Sequence, residues 1–366
     1  MNIIINRETL LNPLQHVIGA VERKQTLPIL GNVLIRSENG ILTLTATDLE
    51  IELVARLDVP INEEFSTTLP ARKLLDICKA LPEGVDIDFN IDNNQVTLKS
   101  GRSRFTLSSL PAKDFPGIDE IKSNHQFDIP QKTLKVLIDK TAFAMAQQDV
   151  RYYLNGMLLE LSKQGIRLVA TDGHRLALSE HEQNLDVQTD KQLIVPRKGI
   201  LELARLLTPT DDKARVILSQ NHIRIETDHL LFTSKLIDGK FPDYNRVIPV
   251  DGNKTLTVNR DLLKQSLHRI SILSNEKYRG IRLTLSDNNL SIQANNPDQE
   301  EAEEELTVDY NESNLEIGFN VTYLLDVLSV LDSEEVKIKL KDANSSCVIT
   351  SSDSDKFRYV VMPMRL

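Results

Sequence analysis

The segments LTATDLEIEL (44–53) and LVATDGHRLAL (168–178) place Thr47-Asp48 and Thr171-Asp172 in nearly the same setting, 124 residues apart. A diverged third copy, Ala294-Asn295-Asn296, follows after a further 124 residues. Self-similarity at a fixed long period means that the chain folds as repeated units. The flanks agree: VLIRSENGILTLTAT, MLLELSKQGIRLVAT and IRLTLSDNNLSIQAN each read as a hairpin of alternating apolar residues. Asn39-Gly40 is a type I′ turn signal, because both central residues of that turn take positive φ.

An amphipathic helix precedes each hairpin. Its apolar face carries Leu10, Leu11, Leu14, Val17, Ile18 and Val21 in the first copy, Leu134, Leu137, Ile138 and Met145 in the second, and Leu262, Leu263, Leu267, Ile270 and Leu273 in the third. A second helix follows in LPARKLLDICKAL, IVPRKGILELARLL and GFNVTYLLDVLSVL, with Pro70 and Pro196 read as first-turn residues. Further strands close each unit, and even the exits match, AKDFP at 112–116 and DGKFP at 238–242. The expected fold is therefore α+β: three repeated domains, each with roughly six to eight strands and two helices packed on antiparallel sheets. The boundaries read as 1–125, 126–253 and 254–366, with polar linkers near 118–126 and 244–254.

Sequence motifs for catalysis are thin: there is no P-loop, GxGxxG, HExxH or GxSxG. Asp172 and His174 could form an acid–base pair, but the other copies carry Leu49-Glu50 and Pro297-Asp298 nearby, so a turn with exposed polar residues is the plainer reading. The acidic run 298–305 lacks the glycine-punctuated spacing of a calcium loop, and no metal or cofactor is expected. The N-terminus has no basic, signal-like stretch and no run of 18 apolar residues occurs, so no membrane association is expected. Two isolated cysteines, Cys78 and Cys347, suit a reducing cytoplasm.

A net charge of −10 argues against a nucleic-acid partner until the charge is divided. The six helical stretches, taken as 7–24, 70–82, 131–147, 196–208, 259–273 and 320–331, carry +8 between them, leaving −18 for the rest. Helix propensity alone would recruit glutamate as readily as lysine, so this segregation favours a polyanion against the helices. Helices spaced ~8–10 Å apart put six on a circle only about 17 Å across. Twelve, from two chains, give roughly 35 Å between axes and an opening near 24 Å, enough for a duplex.

TLPILGNVLI (26–35), QDVRYYLNGM (148–157), VATDGHRLA (169–177), PRKG (196–199), SNEKYRGIRL (274–283), ANNPDQEEAEEEL (294–306) and VVMPMRL (360–366) together resemble the bacterial DNA polymerase III beta subunit, the sliding clamp, over the whole chain. The resemblance implies a non-catalytic, cytoplasmic processivity factor for DNA replication. Its three clamp-type domains would form half of a head-to-tail homodimeric ring around double-stranded DNA, bound without regard to sequence. Its implied partners are the polymerase III catalytic subunit, the clamp loader and other replication and repair proteins. The implied partner-peptide pocket comprises Leu154, Thr171, Gly173, His174, Arg175, Leu176, Pro242, Arg246 and Val247, completed by Asn320, Tyr323, Ser346, Val360, Met362, Pro363, Met364 and Arg365. Within it, methionine and leucine would form an adaptable apolar floor while Arg175, His174 and Arg246 orient polar groups. Implied DNA contacts are Arg23, Lys24, Gln148, Tyr152, Tyr153, Arg197, Lys198, Lys277 and Arg279. For the dimer interface, basic Arg102 and Arg104 with Phe105 would meet Ile272, Leu273, Asp298, Glu300, Glu301 and Glu304. The chain departs from the family pattern at Asn245, where many relatives carry arginine, and at Arg23-Lys24-Gln25. A three-domain adaptor for acidic proteins, or a hydrolase built on Asp172 and His174, stays open on the residues alone.

Overall fold

The computed structural model describes every residue except 23–26, 60, 62, 93, 119–124, 188, 250 and 366. The first repeat contains β1 (Asn2–Asn6), α1 (Arg7–Val17), β2 (Asn32–Glu38), β3 (Ile41–Thr47), β4 (Ile51–Leu57), β5 (Phe65–Pro70), α2 (Ala71–Ala80), β6 (Asp86–Asp92), β7 (Gln95–Ser100) and β8 (Ser103–Ser108). The second has the same order: β9 (His125–Pro130), α3 (Gln131–Asp139), β10 (Gly156–Ser162), β11 (Gly165–Thr171), β12 (Arg175–Glu182), β13 (Lys191–Pro196), α4 (Arg197–Leu206), β14 (Lys213–Leu218), β15 (His222–Glu226) and β16 (Leu230–Lys235). So has the third: β17 (Lys254–Asn259), α5 (Arg260–Ser271), β18 (Gly280–Ser286), β19 (Asn289–Asn295), β20 (Glu301–Thr307), β21 (Leu315–Asn320), α6 (Val321–Val330), β22 (Glu335–Leu340), β23 (Cys347–Ser351) and β24 (Phe357–Val361). The α+β reading and the type I′ turn hold, with φ of 52° at Asn39 and 77° at Gly40.

The helices are shorter than their apolar periodicity suggests. After α1 the chain tightens into a 3₁₀ turn at Ile18–Ala20, and after α3 into another at Ala142–Ala144, so Met145 lies outside its helix. Pro70 and Pro196 end strands, and the helices start one residue later. Leu262 is 55% exposed, because Leu263, Leu267 and Ile270 already fill the buried face of α5. Within the helices as folded, twelve lysines and arginines oppose six acids, so the surplus is +6 and not +8.

Two compact units form: Met1–Lys132 with Leu201–Leu236, and Thr133–Ile200 with Ile237–Leu366. Sheets do not respect repeat boundaries. In the first unit, β5-β2-β3-β4-β16-β15-β14-β9 make one eight-stranded sheet, and β1-β6-β7-β8 a four-stranded one. In the second, β13-β10-β11-β12-β24-β23-β22-β17 make the eight-stranded sheet, and β20-β19-β18-β21 the four-stranded one. The cause lies at the edges. An unpaired strand edge is a liability, and β4 removes its own by pairing antiparallel with β16, as β12 does with β24. At each seam an aromatic residue is buried, Phe232 opposite Leu53 and Tyr359 opposite Ala177. Each unit thus has one seam, and the four-stranded sheets end at β1 and β8 in the first unit and at β20 and β21 in the second.

Candidate functional site

In the second unit, the Thr-Asp motif builds the turn between β11 and β12. Thr171 Oγ1 donates to the Arg175 carbonyl (2.6 Å) and accepts from the Gly173 amide (3.1 Å). Asp172 Oδ1 accepts the amides of His174 (2.9 Å) and Arg175 (3.0 Å), while Gly173 sits at φ 89°. That φ favours glycine. Asp172 therefore holds a turn and does not face His174 as an acid–base partner. Burial pushes the Cys78 and Cys347 thiols up to about 12, which leaves neither a nucleophile.

Arg175 is committed within the chain. Its Nε donates to Asp172 Oδ2 (3.0 Å), one terminal nitrogen pairs with Asp326 of α6, and the other donates to the Phe143 carbonyl (2.9 Å). Its guanidinium lies 4.7 Å from the Tyr323 ring centroid and 5.2 Å from that of Phe143. These bonds tie the turn to α6. Exposed His174 holds its ring near-parallel to Tyr323, at 6.4 Å, and its carbonyl accepts the Met362 amide (2.9 Å). Burial, then the Asp172 charge, raises the Tyr323 pKa.

The floor is apolar. Leu154, Leu176 and Val360 are buried in one cluster with Leu158, Val169, Ile194, Phe241, Tyr244 and Val348. Leu176 faces Val360 across the seam. The tail beyond β24 leaves Met362, Pro363 and Met364 half-buried and Arg365 exposed, with the Met364 amide on the Gly318 carbonyl (2.8 Å). Buried Tyr244 anchors the segment that exposes Pro242, Arg246 and Val247, and Arg246 pairs with Asp243 (3.0 Å). Asn245, the departure from the family pattern, points its amide at Asp243 (3.5 Å). Asn320 caps α6 through the Thr322 amide (2.9 Å) and donates to the Tyr278 carbonyl (3.3 Å), so its side chain is partly spent. Ser346 is half-buried one residue before β23.

Of the expected nucleic-acid residues, Arg23 and Lys24 lie outside the described residues. Exposed Gln148 (φ 54°), exposed Tyr152 and half-buried Tyr153 share one loop, the two rings edge-to-face at 5.8 Å. Arg197 joins that loop by donating to the Met145 carbonyl (3.1 Å), and burial, then Arg175, lowers its pKa. Lys198 is exposed beside it. Lys277 lies 5.1 Å over the Tyr278 ring, and Arg279 (φ 51°) follows. Tyr278, 57% exposed, lies between Lys277 and Arg279, and Val150, 96% exposed, lies in the loop with Gln148 and Tyr152.

At the free edges, Arg102 and Arg104 are exposed and Phe105 half-buried in or beside β8. Ile272 is 72% exposed and Leu273 half-buried just past α5. Asp298, Glu300 and Glu301 are exposed, while Glu304 is held by Arg269 and Ser266, whose bonds lower its pKa. Glu304 thus joins β20 to α5 within the chain. Among the described residues no group of three or more His, Cys, Asp or Glu could hold a metal ion, and no helix is long and apolar enough to cross a membrane.

A threefold α+β repeat with two filled strand seams, and with half-buried methionines beside a buried apolar cluster, defines a clamp-type binding protein. Family models for the N-terminal, central and C-terminal domains of the DNA polymerase III beta subunit match residues 1–119, 128–243 and 245–365. The beta sliding clamps of Pseudomonas aeruginosa and Escherichia coli are 57% and 51% identical to this chain, each over the full length of both proteins. A crystal structure of the Pseudomonas aeruginosa clamp superimposes with a TM-score of 0.97 at 57% identity over all of both chains, and one of the Caulobacter crescentus protein with 0.94 at 36%. The chain belongs to the DNA polymerase III beta subunit family. It is a sliding clamp, a non-catalytic processivity factor of DNA replication.

Proposed function

We propose that two copies close head to tail into a ring around duplex DNA. In this reading the domains run 1–125, 126–253 and 254–366, and the protein works in the cytoplasm. The groove on the second unit receives short peptides of the polymerase catalytic subunit, the clamp loader and repair proteins. One observation carries this reading: two seams are filled within the chain, while β8 and β20, at the seam positions of their repeats, are edge strands of their sheets.

The internal seams support a particular register for the third. Counting four residues back from each first helix gives Ile3, Phe127 and Leu256, which pair with Phe89, Val216 and Ile338. These pair in turn with Leu98, Ile225 and Ile349, and those with Phe105, Phe232 and Tyr359. Phe105 is therefore the counterpart of the two buried seam aromatics. On the other side Glu52, Leu176 and Glu301 are equivalent, facing Thr47, Thr171 and Asn295. Carried across, Phe105 lies opposite Ala302 of the partner subunit and Arg104 opposite Glu303 of the partner subunit. Because each copy offers one β8 and one β20, the contact is heterologous, and a closed ring of two uses every such edge.

Helices support the same seam. Arg205 of α4 donates to the Gln15 carbonyl (3.0 Å) and the His16 carbonyl (2.6 Å) at the end of α1, and Lys140 joins α3 to the Val330 carbonyl and Asp332 at the end of α6. The first helix of one repeat meets the second helix of the next. Exposed Ile272 at the end of α5 is then the apolar surface awaiting α2 of the partner subunit. Replacing Ile272 and Leu273 by alanine removes roughly 2–5 kcal/mol of packing per site and yields monomers in sedimentation. An unchanged dimer at low concentration refutes this seam.

The functional test is topological. Phosphate contacts of this kind are weak, sequence-blind and salt-sensitive. Loaded protein is expected to remain on nicked circular DNA and to run off the same DNA once linearised. Equal retention on both forms at moderate salt overturns the ring.

A further inference from the structure

The loop 142–155 joins the two candidate surfaces of the second unit. From one side Arg197 holds it, through the Met145 carbonyl and by giving its own amide to the Asn155 carbonyl (2.9 Å). Asn155 in turn locks Asp149, accepting its amide (2.9 Å) and donating to its carbonyl (2.8 Å). From the other side Arg175 grips the Phe143 carbonyl. Arg151 completes the link. Its guanidinium forks onto Asp149 (3.0 and 2.8 Å) and donates to the Asp172 carbonyl in the Thr-Asp turn (3.2 Å). It packs on Gly173 so closely that a Cβ there would meet its nitrogens at 2.9 Å. The equivalent positions of the other repeats, 124 residues away, are Leu27 and Asn275, so only the repeat that carries the groove has this arginine.

We propose that Arg151 is a positioning residue for the peptide groove, and that through it duplex DNA and partner peptide bind with coupled affinities. The proposal rests on the reading of 171–176 and 360–365 as the dock. Duplex contact at Gln148 and Tyr152 bears on the loop that Arg151 ties to the Asp172–His174 turn, so loop and turn are held together in the arrangement that the peptide meets. Coupling of this kind is reciprocal: the peptide tightens duplex binding by the same factor.

The experiment titrates a fluorescein-labelled C-terminal peptide of the polymerase catalytic subunit against the full chain, with and without saturating 20-base-pair duplex at low salt. Duplex affinity and melting temperature are measured for every variant. For the unaltered chain, duplex is expected to tighten the peptide about threefold or more, a typical coupling. Arg151→Ala weakens the peptide about tenfold and abolishes the duplex effect, whereas Arg151→Lys, which keeps the pair with Asp149, restores part of both. No duplex effect in the unaltered chain, or one that Arg151→Ala retains, overturns the coupling. Unchanged peptide affinity in Arg151→Ala overturns the positioning role. Should that variant fold poorly, Asp149→Asn, which frees Arg151 from its anchor, is expected to give the same losses in weaker form, and their absence counts equally against the idea. Truncation before Met362 serves as the separate control: peptide binding that survives it refutes the dock itself.

Discussion

The turn at Thr47–Ile51 in the first unit and the turn at Thr171–Arg175 in the second are the same device used for different ends. In both, threonine Oγ1 donates to the carbonyl four residues on, at 2.7 and 2.6 Å, and aspartate Oδ1 accepts two successive amides. Both receive the same backbone bond from the strand across the seam, Lys235 to the Glu50 carbonyl and Met362 to the His174 carbonyl, each 2.9 Å. The side chains then diverge. Where the second unit has Leu176 beside Val360, the first has Glu52 beside Thr233, with Glu52 Oε2 accepting the Ile118 amide (3.1 Å). Lys235 stands in place of Met362, and Leu49 in place of Gly173. The backbone supplies a seam; a handful of substitutions decides whether that seam is polar and closed by its own linker or apolar, as the proposed peptide dock requires.

The most severe way to break this contrast is to give the second seam the residue of the first. Leu176→Glu puts a carboxylate at a position 2% exposed, among Leu154, Leu158 and Val360. Without a charged or hydrogen-bonding partner, that burial is expected to cost roughly 3–5 kcal/mol in denaturant melts and to weaken peptide binding by more than about 100-fold. Leu176→Met, close in volume, should cost less than about 1.5 kcal/mol. Normal peptide affinity in a folded Leu176→Glu variant would remove Leu176 from the floor of the groove.

Much of this architecture is legible in the sequence, because strand alternation, the Asn39-Gly40 turn and the Thr-Asp motif are local. The pairing of β4 with β16 is not, since Ile51 meets Ser234 across most of two repeats. Helix ends were misjudged for a related reason: the apolar period runs on to Val21 and Met145, while the backbone has already left the α-helix for a 3₁₀ turn. Within the site, apolar Leu154, Leu176 and Met362 are readable as floor and rim. The commitment of Arg175 is not, because its partners Asp326 and Phe143 come from elements far along the chain. A charged residue in a motif reads as available until the fold shows what it touches.

The reverse comparison uses pH. Burial raises the Glu52 pKa above its ordinary value, more than its bond from Ile118 and the Arg224 charge lower it. An acid whose pKa is raised by folding favours the native state fully below its unfolded value, near 4.5, and that stability is lost as pH rises through the folded value. Glu52→Gln removes the titration and keeps an acceptor for the Ile118 amide. Its melting temperature should match the unaltered chain below pH 4.5 and exceed it at neutral pH, by no more than about 3 °C, the shift that ~1 kcal/mol produces at this size. A constant difference across the pH range would show that Glu52 is not the titrating group.

The smallest expected effect isolates the backbone. Leu49 and Gly173 occupy the same place in their turns, with φ of 75° and 89°, yet only glycine reaches that region without a Cβ penalty. Leu49 is 39% exposed, so little packing offsets its strain. Leu49→Gly should therefore stabilise the first unit, although glycine also loosens the unfolded chain and takes back part of the gain. The net is expected at roughly 0.5–1 kcal/mol, less than the full 1–2 kcal/mol left-handed penalty. Gly173→Ala tests the other turn, where the same strain is joined by the contact with Arg151, so it should destabilise and also loosen the peptide. If Leu49→Gly instead destabilises by more than about 1 kcal/mol, the exposed leucine side chain packs in a way that outweighs its backbone, and the two turns are not equivalent at their third position.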